Sequence, residues 1–303
     1  MRIVGTFALF AALFAAPLAV AQQEGAVPTS ALISIQTKHE MPVDTKALSL
    51  EVNGRKTAIE SIQQVQPQQL EIAILIDDGL RRSIALQMPD IATFLKDLPP
   101  SVKVLVGYMQ NGTVRTSGFS TDHEAVASQL RMTLSLPGIS ASPYFCLSDF
   151  VKNWPSQTRA ARVVLMLTNG VDLYNGSTSL MNQNSPYVQQ AQEDAQRAGA
   201  AVYSIYYGDS AIRGFRSAFS GSSYLQQVAD ATGGESLYQG TLTPPSILPY
   251  LKSFEKYMRE TYVLSFPVEA SRVRPNTLVY LKVRTSQSGT KVRAPDGVHP
   301  GSE

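Results

Sequence analysis

The sequence predicts an α/β fold: a doubly wound, mostly parallel sheet in a three-layer, Rossmann-like arrangement, with β-rich additions at both ends. Three observations predict it. Four short apolar runs, Glu71 to Asp77, Val102 to Tyr108, Arg162 to Thr168 and Ala200 to Tyr207, have the composition of strands covered on both faces. Between them apolar residues recur at helical spacing. Outside them, the flanks carry alternating or β-branched stretches instead.

The chain opens with Arg2, an apolar run from Ile3 to Val20 and the small-x-small ending Ala19-Val20-Ala21. This is the pattern of a secretory signal peptide over residues 1–21, leaving a mature chain that starts at Gln22 and is exported, periplasmic or secreted. The run approaches the length of a membrane span, but Pro17 and the small ending favour cleavage. No comparable run follows, so no membrane insertion is expected after cleavage. Residues 22–70 form a β-rich segment with strands at Ala31 to Gln36 and Leu48 to Val52, the latter followed by an Asn53-Gly54 hairpin turn.

Residues 71–260 hold the α/β domain. Its first strand ends in Asp77-Asp78, and Pro89 starts the next helix near Met88, leaving Gly79 to Gln87 as a loop. Ile91, Phe94, Leu95 and Leu98 mark that helix, and Leu147, Phe150, Val151 and Trp154 mark a second one. Ser142-Pro143 and Ser185-Pro186 supply N-caps with first-turn prolines, and Thr121 to Glu124 reads as a capping box with His123 solvated in its first turn. Tyr174 to Pro186 is a polar loop, and Gly208 to Tyr224 reads as a Gly/Ser-rich loop offering Phe215, Phe219 and Tyr224 as a contact surface. Ile247, Leu251, Phe254 and Met258 define a last helix. Residues 261–303 return to strands at Thr261 to Val268, Thr277 to Arg284 and Lys291 to Arg293.

Composition narrows the function. The 26 basic residues nearly balance 24 acidic ones, and cleavage removes a basic one, Arg2. Nucleic acid and anionic membranes are therefore not expected as partners, because both reward a concentrated basic surface. The single cysteine, Cys146, rules out an intrachain disulfide and is expected to be buried. Searches for a nucleophile elbow, a dinucleotide fingerprint, a P-loop and a zinc-protease helix fail. In a doubly wound sheet ligands bind outside the strands' carboxyl ends. Here that places the candidate site on Asp77 to Gln87, Gly138 to Pro143 and Thr168 to Asn175.

At Ile74-Leu-Ile-Asp77, Val163 to Gly170 and Ala200 to Ile205, the chain resembles a von Willebrand factor A (VWA) domain. More narrowly, it resembles an exported A-domain-related family of acidobacterial type. Its counterparts there are Glu51 to Ile59, Thr261 to Phe266 and Lys291 to Arg293, so the resemblance spans about Ile33 to Arg293. It implies a Mg²⁺ site built from Asp-x-Ser-x-Ser, a threonine and a final aspartate. Carried over, Asp77 matches the first position, Gly79 and Arg81 replace the two serines, Ser140 or Ser142 stands near the threonine, and Asn169 replaces the last acid. Asp78 and Asp172 lie close by in sequence. A guanidinium at Arg81 would repel a divalent cation. The resemblance thus implies a degenerate, metal-ion-dependent adhesion-like site, no cofactor beyond a residual capacity for Mg²⁺, and a non-enzymatic protein-binding or adhesion module whose partner is a protein. The alternatives are a scaffold subunit of an envelope complex with a vestigial site and a hydrolase whose site is unrecognised.

Overall fold

The computed structural model describes residues 25–38, 41–136, 138–175, 184–208, 215–238, 243–269 and 276–302. The segment over residues 1–21 expected to be a signal peptide lies outside the described residues, as does the middle of the polar loop between Tyr174 and Pro186.

In chain order the first strands are β1 (Ala26–Thr37), β2 (Leu48–Val52), β3 (Arg55–Thr57) and β4 (Ser61–Gln64). The α/β part follows as β5 (Leu70–Asp77), α1 (Met88–Asp97), β6 (Lys103–Gln110), β7 (Thr113–Thr116), α2 (His123–Ala127), α3 (Pro143–Lys152), β8 (Ala161–Thr168), α4 (Pro186–Arg197), β9 (Ala200–Tyr206), α5 (Phe215–Ala231), β10 (Ser236–Tyr238) and α6 (Leu248–Arg259). The chain closes with β11 (Thr261–Glu269), β12 (Val279–Thr285), β13 (Thr290–Arg293) and β14 (Gly297–Val298).

The central sheet runs in the order β10-β9-β8-β5-β6-β7 and is parallel except for β7, which pairs antiparallel with β6. Every residue of β5 and β9 is buried. The reason is the two-sided cover the apolar runs predict. On one face Ile72, Ile74 and Ile76 pack with Phe94, Leu95 and Phe254 from α1 and α6. On the other, Ala73 and Leu75 pack with Leu147, Phe150 and Val188 from α3 and α4. A sheet with helices on both faces is the doubly wound α/β class.

The β-rich flanks combine. β1, from the amino-terminal flank, lies between β13 and β11 from the carboxyl-terminal flank in a sheet ordered β13-β1-β11-β4. A second sheet, β14-β12-β2-β3, packs on it through Ile33, Ile35, Leu50, Leu264, Phe266 and Leu281. The alternate residues Leu32 and Val263 face the other way and join the α/β core. The β2–β3 turn is the expected Asn53-Gly54 hairpin, with φ of 49° and 77°. That left-handed pair is what a type I′ turn requires.

Local readings change at three places. Phe215–Ala231 is a helix, not a loop: Tyr224 and Val228 fall one turn apart and both bury against the β9 side of the core, while Phe219 remains exposed. The cap of α2 is Asp122, whose carboxylate accepts from Ala125 N, rather than Thr121. His123 is buried rather than solvated, with Nε2 2.8 Å from the carbonyl of Val102.

Candidate functional site

Asp77 ends β5 at the carboxyl edge of the sheet, beside Met109 of β6. Its carboxylate is 2% exposed and fully engaged. The backbone N–H of Gly79 donates to Oδ1 at 2.9 Å, and the hydroxyl of Thr168, the last residue of β8, donates to Oδ2 at 2.7 Å. The side chain of Ser140 supplies a further hydrogen bond. Burial pushes the Asp77 pKa above the usual carboxylate range, with these bonds pulling against it.

Of the two serines near the threonine position, Ser140 reaches the site and Ser142 does not. Ser140 is placed by backbone bonds across the β6–β7 turn, Asn111 N to Ile139 O at 2.6 Å and Gly112 N to Ser140 O at 3.1 Å. Ser142 is wholly buried as the N-cap of α3, its Oγ accepting from Tyr144 N. It keeps the capping role its Ser-Pro sequence predicts.

Asp78 turns the opposite way. The Arg131 guanidinium donates to it through both terminal nitrogens, at 2.9 and 2.8 Å, while the Gln110 amide and the Leu134 N–H donate as well. Burial opposes ionisation of Asp78, but the bonds from Arg131, Gln110 and Leu134 outweigh it and hold the pKa below the ordinary value. Arg131 is itself fixed, stacked 3.8 Å above the Tyr108 ring and bonded to Met132 O. The cation beside this site is thus Arg131, which the sequence did not single out. Arg81 stands at the N-cap position of the 3-10 turn Arg82–Gln87, which occupies the expected loop before α1, and makes no side-chain cap bond there.

Asn169 and Asp172 serve the loop after β8. Asn169 Oδ1 accepts from Val171 N at 2.8 Å. Asp172 accepts from Tyr174 N at 3.1 Å and from the Ser185 hydroxyl at 2.7 Å, tying the loop to the cap of α4. The loop is clamped at Gly170, whose φ is 65° and whose carbonyl accepts from the buried Tyr144 hydroxyl. Gly221 on α5 closes it from the other side, since a Cβ there would collide with the carbonyl oxygen of Asn169.

A Mg²⁺ site of the binding type needs several hard oxygens around one point in near-octahedral array. These residues do not fit one. Among the described residues Asp77 is the one carboxylate at the position, with both oxygens already accepting. Asp78 and Asp172 are committed elsewhere. At Gly79 a side chain would be crowded, its Cβ 3.3 Å from Leu136 O and 3.2 Å from Asp77 Oδ1.

Above this closed centre runs a segment that sequence reasoning missed. Thr133 and Ser135 point inward and donate to Leu80 O at 2.8 and 3.0 Å, and Ser135 N donates to Asp78 O. The alternate residues Met132, Leu134 and Leu136 stand 56%, 48% and 55% exposed. Leu173 and Tyr174, also exposed, flank them, Leu173 lying beside Gly138. The signal was the strict alternation Met132-Thr-Leu-Ser-Leu136, a period of two outside any apolar strand.

No family model matches the chain. No curated protein matches it either. Among solved structures it is similar to an aerotolerance-related membrane protein from Bacteroides fragilis NCTC 9343, at 12% identity and a TM-score of 0.44, over 62% of this chain and 98% of that one. It is also similar to manganese-loaded TRAP protein from Plasmodium vivax, at 10% identity and a TM-score of 0.41, over 79% of this chain and 98% of that one. The SpRpn10 VWA domain is similar at 11% identity and a TM-score of 0.37, over 61% and 95%. The doubly wound α/β architecture stands on the strand order and the helices on both faces.

Proposed function

We propose that this protein is an exported, non-enzymatic protein-binding module, of the acidobacterial VWA-related type, that captures its partner without a divalent ion because its adhesion-type metal site is degenerate. The observation that carries the reading is the apolar ridge of Met132, Leu134 and Leu136, held over the site by inward polar bonds. Large apolar side chains exposed on a rigid, anchored loop favour a protein surface over water. The hydroxyls that meet the Asp77 carboxylate, those of Thr168 and Ser140, are buried with it, which favours binding over catalysis.

The test is quantitative capture from an envelope extract by the mature chain and by a Leu134→Asp/Leu136→Asp variant, each in EDTA and in Mg²⁺. A partner held equally in both buffers and lost by the variant is the expected result. Capture that requires Mg²⁺, or that the variant retains, overturns the reading, and retention by the variant points to the β-rich flanks as a scaffold. Turnover of an ester, phosphate or peptide substrate by the purified chain overturns its non-enzymatic part.

A further inference from the structure

The second sheet of the sandwich has two unlike faces. Leu50, Val52 and Leu281 point inward to the first sheet. Their alternates point outward, and the strand register sets these in rows. Lys282 of β12 stands opposite Glu51 of β2, which stands opposite Lys56 of β3, and Arg284 stands opposite Ser49. Tyr280, two residues before Lys282 on the same strand, shares this side. Its ring is 70% exposed, more than any other aromatic side chain among the described residues. Lys56, Lys282 and Arg284 are exposed as well.

The near balance of charge over the whole chain does not extend to this face. Glu51 is the one acid in these rows, and Arg284 already holds it, with Nη1 2.8 Å from Oε1. Lys56 and Lys282 make no ion pair among the described residues, so the face keeps an excess of positive charge.

The geometry selects among anionic partners. β2 is paired on both sides, so the middle of the face offers no free backbone to an added peptide strand. Side chains two apart on one strand stand roughly 7 Å apart, and those on β12 and β3 are separated by two strand spacings, about 10 Å. The cations therefore form a spread array and do not close on a single group. A folded acidic protein must present its carboxylates at that same spacing, whereas the headgroups of a fluid anionic bilayer move laterally to meet it. Tyr280 suits the same partner, because an aromatic ring with a polar tip sits at the level of the headgroups.

We propose that the β12-β2-β3 face docks on an anionic phospholipid surface, with Lys56, Lys282 and Arg284 on headgroup phosphates and the Tyr280 ring in the interface. The contact is peripheral, and it is separate from the apolar ridge.

The experiment is co-sedimentation of the mature chain with vesicles, either of phosphatidylcholine alone or of phosphatidylcholine mixed equally with phosphatidylglycerol. Binding to the anionic vesicles alone, released by high salt, is expected. Each cation near such a surface strengthens association about fivefold, so Lys56→Gln/Lys282→Gln should weaken binding by more than about tenfold. Tyr280→Ser should weaken it by a smaller factor. Arg115→Gln/Lys252→Gln, which removes two exposed cations from β7 and α6, should bind like the parent chain, as should Leu134→Ser/Leu136→Ser. No binding to the anionic vesicles, equal binding to both compositions, or full binding by Lys56→Gln/Lys282→Gln or by Tyr280→Ser overturns the proposal. An equal loss in either of the other two variants would assign the binding to net charge or to the ridge and overturn it too. Binding of polyglutamate in place of the vesicles would assign the face to an acidic protein, with the same result.

Discussion

At the residue scale, two side-chain environments make opposite demands. Gly221 has no room: the close approach of α5 to the loop after β8 would drive a Cβ into the backbone oxygen of Asn169, which cannot swing aside. Gly221→Ala should therefore cost about 3 kcal/mol, the upper end of over-packing penalties, measured by urea unfolding. Glu71 sits at the foot of β5, 1% exposed, and accepts from Trp154 Nε1 and Ser156 Oγ, both at 2.7 Å, and from Thr158, with Lys103 Nζ 3.5 Å away. Burial opposes its charge, but the three hydrogen bonds and Lys103 prevail, so its pKa lies below the ordinary value. A depressed carboxylate contributes stability above its unfolded pKa of about 4 and loses it as pH falls through the lower folded value. Unfolding curves from pH 7 to pH 3 should show a decline below about pH 4 that is shallower in Glu71→Gln. An unchanged slope would assign the acid sensitivity to Asp78 and Asp194, whose pKa values are lowered in the same way. None of this was legible in sequence, since Glu71 reads only as the polar boundary of an apolar run.

At the element scale the sequence was most informative where a local rule acts alone. The apolar runs became β5, β6, β8 and β9, and both Ser-Pro pairs became capped first turns. It was least informative where distant segments complete each other. The β-rich flanks look like two separate additions until β1 is seen between β11 and β13, and the short strands β4, β7 and β10 carry too few residues to show a period. The site divides the same way. Asp77 was legible from its place at the end of an apolar strand, but its partners Thr168 and Ser140 come from other elements, and Arg131 reaches Asp78 across a loop. The two caps allow a test of how such linkage alters a local rule. Ser142 caps α3 by accepting from Tyr144 N, whereas Ser185 accepts from Tyr187 and Val188 N and also donates to buried Asp172. Ser142→Ala should cost about 1 kcal/mol, the ordinary cap value. Ser185→Ala should cost about 1–3 kcal/mol more, because it also strips a buried carboxylate of a donor. Equal losses in thermal or urea unfolding would mean that Asp172 finds another donor.

At the scale of the whole molecule, the sandwich and the α/β layer share structure and not merely a boundary. Leu32 and Val263 of the sandwich belong to the α/β core. Beyond β13 the chain crosses the α5–β10 turn, where Thr232 bridges Pro295, Asp296 N donates to Ala231 O, and a Cβ on Gly233 would stand 2.8 Å from Pro295 N. Arg293, at the end of β13, adds ion pairs to Glu235 at 2.8 Å and Asp230 at 3.4 Å and donates to Gly234 O. A core that continues through the junction should make unfolding a single event, because neither part can expose its side of the junction without uncovering the other. Amide exchange in β1 and in β8 should then report the same opening free energy. Arg293→Met removes the charge and keeps the apolar stem, leaving Glu235 only partly hydrated. It should lower both opening energies equally, by about 1–3 kcal/mol, less than a fully buried pair because Glu235 and Asp230 retain contact with water. If β1 loosens while β8 keeps its protection, the sandwich is an independent unit and the shared side chains Leu32 and Val263 do not couple the two layers.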